Sequence, residues 1–199
     1  MFVQVIQGKT HDAAGLQRQF ERWLDELGSG ATGFLGTTGG VADDGTAVFL
    51  ARFETEDAAR ANSGRPEQGA WWNETAICFD GDVVFRDCRK VDVTLAGASD
   101  QAGFVQVMQG SAKDRARLLA LEAELMPRLV ELRPDVIGSV RAWDGDHFTD
   151  AIYFTSEAAA RAGEASMAAG TGDAMTELVS LVEDLTFVDL KDPWLHSAP

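Results

Sequence analysis

The stretch that decides the fold is Phe2-Val3-Gln4-Val5-Ile6-Gln7-Gly8, which returns 102 residues later as Phe104-Val105-Gln106-Val107-Met108-Gln109-Gly110. Six of the seven positions are identical, which chance seldom produces in a chain of 199 residues. Further downstream, the stretch from Phe53 to Ala61 aligns with the stretch from Phe154 to Ala162 after a deletion of one residue. The sequence therefore predicts a structural unit that has been duplicated.

The duplication also predicts the domain boundaries. We expect a first domain over residues 1–95, a linker over 96–103, a second domain over 104–191 and a tail over 192–199. The linker consists of small and polar residues that have little to bury. Each copy is long enough to enclose a hydrophobic core of its own.

Both copies show the same order of predicted elements. In the first copy an extended stretch ends at Gly8, and it is followed by an apolar stripe at helical spacing that includes Leu16, Phe20 and Trp23. Two strands then surround an Asp-Gly turn, a second helical region begins at Glu56, and a last strand covers about residues 83–93. This order, strand-helix-strand-strand-helix-strand, is typical of the ferredoxin-like fold, an antiparallel sheet of the α+β class.

The first strand predicts a sheet that is covered on both sides. Alternation places Gln4 between Phe2 and Ile6 on one face, and Val3 and Val5 on the other. Neither face is charged, so both need a second layer. The helices supply one layer, and the sheet of the second copy is the simplest source of the other.

The charge balance excludes several classes of partner. The chain has 17 Lys and Arg against 32 Asp and Glu, a net charge of -15, which repels nucleic acid and anionic membranes. No apolar run approaches the roughly 20 residues that span a bilayer, and the N-terminus lacks the pattern of a secretion signal. Without such a signal, Cys78 and Cys88 are expected to be reduced thiols. We therefore expect a cytoplasmic protein.

These features together resemble a known family. The tandem units, the Phe-Val-Gln-Val-Ile-Gln-Gly opening and the Glu-Asp-Ala-Ala-Arg-Ala start of the second helix are similar to the dimeric α/β-barrel superfamily, and within it to antibiotic-biosynthesis-monooxygenase-like domains. The resemblance implies that two domains, usually supplied by two chains, are fused into an intramolecular α/β barrel. It is also compatible with a further homodimer. Relatives include cofactor-free monooxygenases, haem-degrading enzymes and isomerases, so the resemblance is specific for fold rather than activity.

The second helical region carries the largest difference between the copies. The first copy has Trp71-Trp72-Asn73 there, whereas the second has no aromatic residue. In cofactor-free monooxygenases of the superfamily, Trp, Asn and Arg side chains orient a phenolic substrate and stabilise its anion. The resemblance thus implies that Trp71 and Trp72 shape a pocket and that Asn73 and Gln4 place the oxygens of the substrate. Arg86 or Arg89 would then stabilise a phenolate.

A purely structural interpretation of the same residues stays open. Trp72, Ala76 and Phe79 are spaced as an ordinary core stripe of a helix. The amide of Gln4 could likewise be satisfied by a neighbouring side chain or by water.

The histidines favour neither a metal nor haem. His11, His147 and His196 are widely separated, which does not predict a metal triad. Haem-degrading relatives need an axial histidine on the second helix, and neither copy has one there. We therefore predict no metal site and no cofactor.

The sequence favours a cofactor-independent monooxygenase-like protein that acts on a small aromatic or polyketide-like compound. The alternative is a non-enzymatic protein of the same fold that binds a small hydrophobic ligand or has a structural role. A cavity with two or more convergent polar groups in the first copy, and a closed second copy, would favour the enzyme.

Overall fold

The computed structural model describes residues 1–170 and 172–198, together with their side chains except those of 168–170 and 172–174. The chain forms two compact units. The first contains Met1–Val91 and the C-terminal residues from Asp192 onward, and the second contains Asp92–Lys191. Over the described ranges, the helices fall short of the length and apolarity that a membrane crossing requires.

The first unit follows the predicted order of elements. Its strands and helices are β1 (Phe2–Thr10), α1 (Ala13–Arg22), β2 (Phe34–Val41), β3 (Thr46–Phe53), α2 (Glu56–Ser63), α3 (Pro66–Thr75) and β4 (Phe79–Cys88). A π-helical turn, Trp23–Leu27, continues α1. The ends of the helices follow from local chemistry. The side chain of Asp12 accepts a hydrogen bond from the Gly15 amide at the start of α1, and Thr55 caps α2 in the same way.

The second unit repeats this topology. It contains β5 (Lys90–Leu95), β6 (Phe104–Ala112), α4 (Arg115–Leu132), β7 (Val136–Asp144), β8 (His147–Phe154), α5 (Glu157–Gly170), α6 (Gly172–Ser180) and β9 (Val182–Leu190). The last element of the chain is β10 (Trp194–Ser197). The strand orders are β10-β2-β3-β1-β4 in the first sheet and β5-β7-β8-β6-β9 in the second. The predicted α+β class and the tandem ferredoxin-like topology are confirmed; closure of the sheets into one barrel stays a prediction.

Each sheet gains a fifth strand that the repeat pattern does not contain. The predicted single strand over residues 83–93 is wrong, because β4 ends at Cys88 in the first sheet while β5 belongs to the second. The expected tail also differs: β10 pairs with β2, and its Trp194 lies against Phe20 and Phe49. The packing of the Trp194 ring on these two phenylalanines holds β10 at the edge of the first sheet.

The register of the first sheet sorts its helix-facing side chains into rows, because directly opposed residues of antiparallel strands share a face. One row is Phe34, Phe53 and Phe2; the next is Thr37, Ala51, Gln4 and Asp87; the third is Gly39, Phe49, Ile6 and Phe85. A polar row therefore lies between two mainly apolar rows on the surface that the helices cover.

Candidate functional site

A cavity of about 110 Å³ lies within the first unit, between the helix-facing side of the sheet and the helices. Aromatic rings dominate its lining, from the sheet as well as from the helices: Phe20, Trp23, Phe34, Phe49, Trp71 and Trp72. Aromatic surroundings with a few polar groups are typical of small-molecule sites. The cavity is therefore the candidate site of this chain.

The floor of the cavity is the polar row of the sheet. Thr37 and Gln4 both line it, and Ala51 lies between them on β3. The small side chain of Ala51 leaves space above the sheet. Gln4 is anchored from the side, because its Nε2 donates to Asp87 Oδ1 at 2.9 Å.

The roof comes from α1, α2 and α3. The π-helical turn after α1 carries Trp23, which is buried and lines the cavity. Such turns often occur at functional sites, because the extra residue reorients the side chains that follow. Asn62, at the end of α2, and Gln68, in the first turn of α3, supply the polar part of the roof.

A hydrogen-bond network fixes these polar groups. Trp23 Nε1 donates to Gln68 Oε1 at 2.6 Å, and Asn62 Nδ2 donates to the same oxygen at 3.4 Å. Arg65 Nη1 donates to Asn62 Oδ1 at 2.9 Å and to the carbonyl of Leu27 at 3.1 Å. Sequence reasoning did not identify Asn62, Gln68 or Trp23 as site residues.

The two adjacent tryptophans lie at the cavity and pack in the core at the same time. Trp71 Nε1 donates to the carbonyl of Gln19 at 2.9 Å, and its ring lies 6.5 Å from that of Trp23. The Trp72 ring meets Phe85 edge to face, with centroids 5.0 Å apart. Both interpretations offered by the sequence thus describe the same residues: each tryptophan is a wall of the cavity and a packed side chain.

The other three predicted residues lie outside the lining. Asn73 is exposed, because consecutive helical residues point about 100° apart and its neighbour Trp72 faces inward. Arg86 is opposite Val5 in the sheet, on the face away from the cavity.

Arg89 follows the end of β4 and donates two hydrogen bonds to Glu56, one of them at 2.7 Å. These bonds lower the pKa of Glu56. The structure brings together Gln4, Trp71 and Trp72 but not Asn73, Arg86 or Arg89.

In the second unit, the equivalent corner holds a buried ion cluster. Met108 pairs with Asp150 and Asp150 with Arg141, just as Ile6 pairs with Phe49 and Phe49 with Gly39. Arg141 donates to Asp150 Oδ2 at 2.9 Å and to Glu122 Oε2 at 2.7 Å.

Glu122 occupies the position that Phe20 has in the first copy, at the same offset of 102 residues. Burial disfavours the charged form of Arg141, but the two carboxylates outweigh this effect and raise its pKa. This charged cluster therefore occupies the place of the aromatic wall.

Comparison with known proteins bears on the fold. No protein-family model and no curated protein matches the sequence. Solved structures do match. A candidate monooxygenase from Lactobacillus acidophilus has a TM-score of 0.72 at 11% identity, covering 98% of this chain and 96% of its own. One from Fusobacterium nucleatum has a TM-score of 0.73 at 10% identity, covering 98% and 94%.

An anthrone oxidase-like protein has a TM-score of 0.64 at 8% identity, covering 98% of this chain and 92% of its own. The chain has the monooxygenase-like ferredoxin fold. Because these identities are low, the likeness concerns the backbone and leaves the chemistry to the residues of the site.

The lining of the cavity is electrically neutral. Among the described residues, those that line the cavity include no carboxylate, amine, guanidinium, imidazole or thiol. Its polar atoms belong to Gln4, Thr37, Asn62, Gln68 and other uncharged side chains. The site can therefore orient a flat ligand and hydrogen-bond to its oxygens, but it offers no side chain that titrates near neutral pH.

Proposed function

We propose that this protein is a cofactor-independent monooxygenase-like enzyme, and that the first unit binds its substrate, a small aromatic or polyketide-like compound. The observation that carries the proposal is the asymmetry of the duplicated corner. The first unit has an aromatic cavity with Gln4, Thr37 and Gln68 in its lining. In the second unit, an ion cluster stands where the first has part of its aromatic wall. A cavity with convergent polar groups in one copy favours a specific ligand.

The size of the cavity limits the substrate. An engineered protein cavity of about 150 Å³ binds benzene. A cavity of about 110 Å³ is comparable with a single aromatic ring. We therefore propose that one ring of the substrate lies between Phe49 and the tryptophans of the roof, and that any further ring extends toward the surface beside the exposed Ser63.

The proposed reaction needs no external reductant. The phenolic substrate loses one hydrogen from a ring carbon and one from its hydroxyl, and it gains one oxygen atom from O2 as a quinone carbonyl, while the second oxygen atom leaves as water. The four electrons that reduce O2 all come from the substrate. Because the lining holds no basic side chain, the substrate enters as its anion or loses its proton to water, and neutral donors stabilise that anion.

The same neutral lining favours the alternative function. Positioned acids and bases are common in enzymes that move protons, and their absence from the lining of the described cavity is equally expected of a protein that only binds a hydrophobic ligand. Both functions use the same cavity, so they differ in the fate of the ligand.

The experiment that separates them measures oxygen uptake and binding on the same protein. Single-ring phenols are incubated with the full chain in an oxygen electrode, with spontaneous oxidation subtracted. The comparison variant is Ala51→Ile, which fills the floor of the cavity with the side chain that the second unit has at this position, Ile152. We expect the wild-type chain to take up one O2 per substrate molecule, and the Ala51→Ile variant to lose this uptake. Binding without uptake would support the alternative, and absence of both would contradict both functions.

A further inference from the structure

We propose that Gln68 selects ligands that present an acceptor oxygen, a carbonyl or a phenolate, on the ring bound in the cavity. The inference rests on the cavity being a ligand site, as proposed above, and adds the chemical class of the ligand. Gln68 lies in the first turn of α3 and lines the roof. No motif in the sequence points to it.

The orientation of the Gln68 amide follows from its neighbours. The indole N–H of Trp23 is a donor only, so the Gln68 atom 2.6 Å away is the carbonyl oxygen. The guanidinium of Arg65 is also a donor only, so the Asn62 atom 2.9 Å from it is Oδ1. The Asn62 NH2 group therefore points to Gln68 Oε1, at 3.4 Å.

In this network, one polar group of Gln68 makes no hydrogen bond to a described residue. Its carbonyl accepts two hydrogen bonds, whereas its Nε2 has no hydrogen-bond partner among the described residues. The side chain is half-buried and lines the cavity, so this donor is available to a ligand. An oxygen of the ligand would satisfy it.

The floor supports the same ligand class. Thr37 is a buried residue that also lines the cavity, and its hydroxyl has no hydrogen-bond partner among the described residues. A hydroxyl can donate to a ligand oxygen as well. The cavity therefore offers unused donors from both roof and floor and no positive charge, a combination that suits a neutral carbonyl or a delocalised phenolate rather than a carboxylate or phosphate.

The test uses two ligands of the same shape, acetophenone and α-methylstyrene, in which a carbonyl oxygen is replaced by a CH2 group. Their affinities are measured on the full chain by calorimetry. The quantity of interest is the ratio of the two affinities, because it cancels changes that affect any aromatic ligand. The variant is Gln68→Glu, whose carboxylate can still accept from Trp23 and Asn62 but donates nothing. Gln101→Glu, at an exposed position, controls for the added charge.

We expect Gln68→Glu to lower the ratio of acetophenone to α-methylstyrene affinity roughly three- to tenfold, the value of one hydrogen bond. The control variant leaves the ratio unchanged. Gln68→Met, which has no amide and no charge, lowers it in the same direction. A ratio that stays within twofold in both Gln68 variants overturns the inference but not the proposed function. If wild-type protein binds neither compound, both are overturned.

Discussion

The two units of this chain share one backbone topology and one strand register but differ sharply at one corner of the sheet. In the first unit that corner contains Phe20, Gly39 and Phe49, and it borders a cavity. In the second unit the equivalent residues are Glu122, Arg141 and Asp150, joined by short ion pairs. The difference shows that one frame carries an aromatic cavity wall at these positions in the first unit and a charged cluster in the second.

Glycine is what allows the aromatic wall in the first unit. A Cβ atom on Gly39 would lie 2.1 Å from Cδ1 of Phe49, so the ring lies directly over the backbone of β2. In the second unit Arg141 has the position of Gly39, and a carboxylate has replaced the ring opposite. The exchange is therefore coupled, since a side chain at position 39 would collide with the Phe49 ring, and a glycine at position 141 would leave Asp150 without its cation.

The largest expected effect comes from breaking the ion cluster. Arg141→Met leaves Glu122 and Asp150 as buried carboxylates without their cation, and we expect a loss of about 3 to 5 kcal/mol of unfolding free energy. The measurement is urea unfolding followed by circular dichroism. Arg117→Met, which breaks an exposed pair with Glu177, is the control and should cost far less, because solvent screens that pair. Equal losses of unfolding free energy in the two variants would show that the ion cluster stabilises the second unit no more than an exposed ion pair does.

A second effect concerns the strand that completes the first sheet. Trp194 on β10 lies 5.7 Å from Phe20 and 5.8 Å from Phe49, between ring centroids. Because Trp194 is half-buried, we expect Trp194→Ala to cost about 2 kcal/mol, somewhat below the value for a fully buried tryptophan. Thermal unfolding measures it. Val93→Ala, at an exposed site on β5, is the control; a loss no greater than in that variant would mean that β10 does not support the cavity wall.

The third prediction makes the first unit resemble the second. Ala51→Ile fills the floor of the cavity, and we expect the affinity for a single-ring aromatic ligand to fall at least about tenfold, because even one added methylene is felt in a close-packed site. Titration followed by tryptophan fluorescence reports it, since Trp23, Trp71 and Trp72 line the cavity. Undiminished quenching in a folded variant would mean that the ligand binds elsewhere.

The smallest effect is electrostatic and lies in the first hairpin. Lys9 donates to Asp44 at 2.7 Å, and this bond, together with those from Thr46, lowers the pKa of Asp44 to about 2. Since the pKa is lower in the folded state, the stabilisation is present above about pH 4 and is lost as the pH falls toward 2.

In the second unit, Ser111 stands where Lys9 does in the first. We therefore expect Lys9→Met to cost less than about 1 kcal/mol at pH 7, because the pair is exposed, and nothing near pH 2. Urea unfolding at both pH values checks this. A loss that is the same at both would assign the effect of Lys9 to packing instead of charge.

The duplicated pattern predicted the topology well, because the strand and helix periods of both copies agree. Alternation in the last strand could also have excluded Arg86, since it has opposite parity to Phe85, which shares a row with Ile6. The polar residues of the cavity roof could not be predicted from the pattern, because their roles depend on tertiary packing. Gln68 becomes a candidate only when Trp23 and Asn62 hold its carbonyl. The exchange of Phe49 for Asp150 was visible in the aligned copies and was a second signal for the cavity, beside the Trp71-Trp72 pair.

The most direct test of the account is the number of ligands that each chain binds. Calorimetric titration of the full chain with acetophenone should give one site per chain, with quenching of tryptophan fluorescence and loss of the site in Ala51→Ile. Two equivalent sites per chain, or a single site that Ala51→Ile leaves intact, would contradict the proposal that the ligand binds in the cavity of the first unit, where the second unit has an ion cluster in place of the aromatic wall.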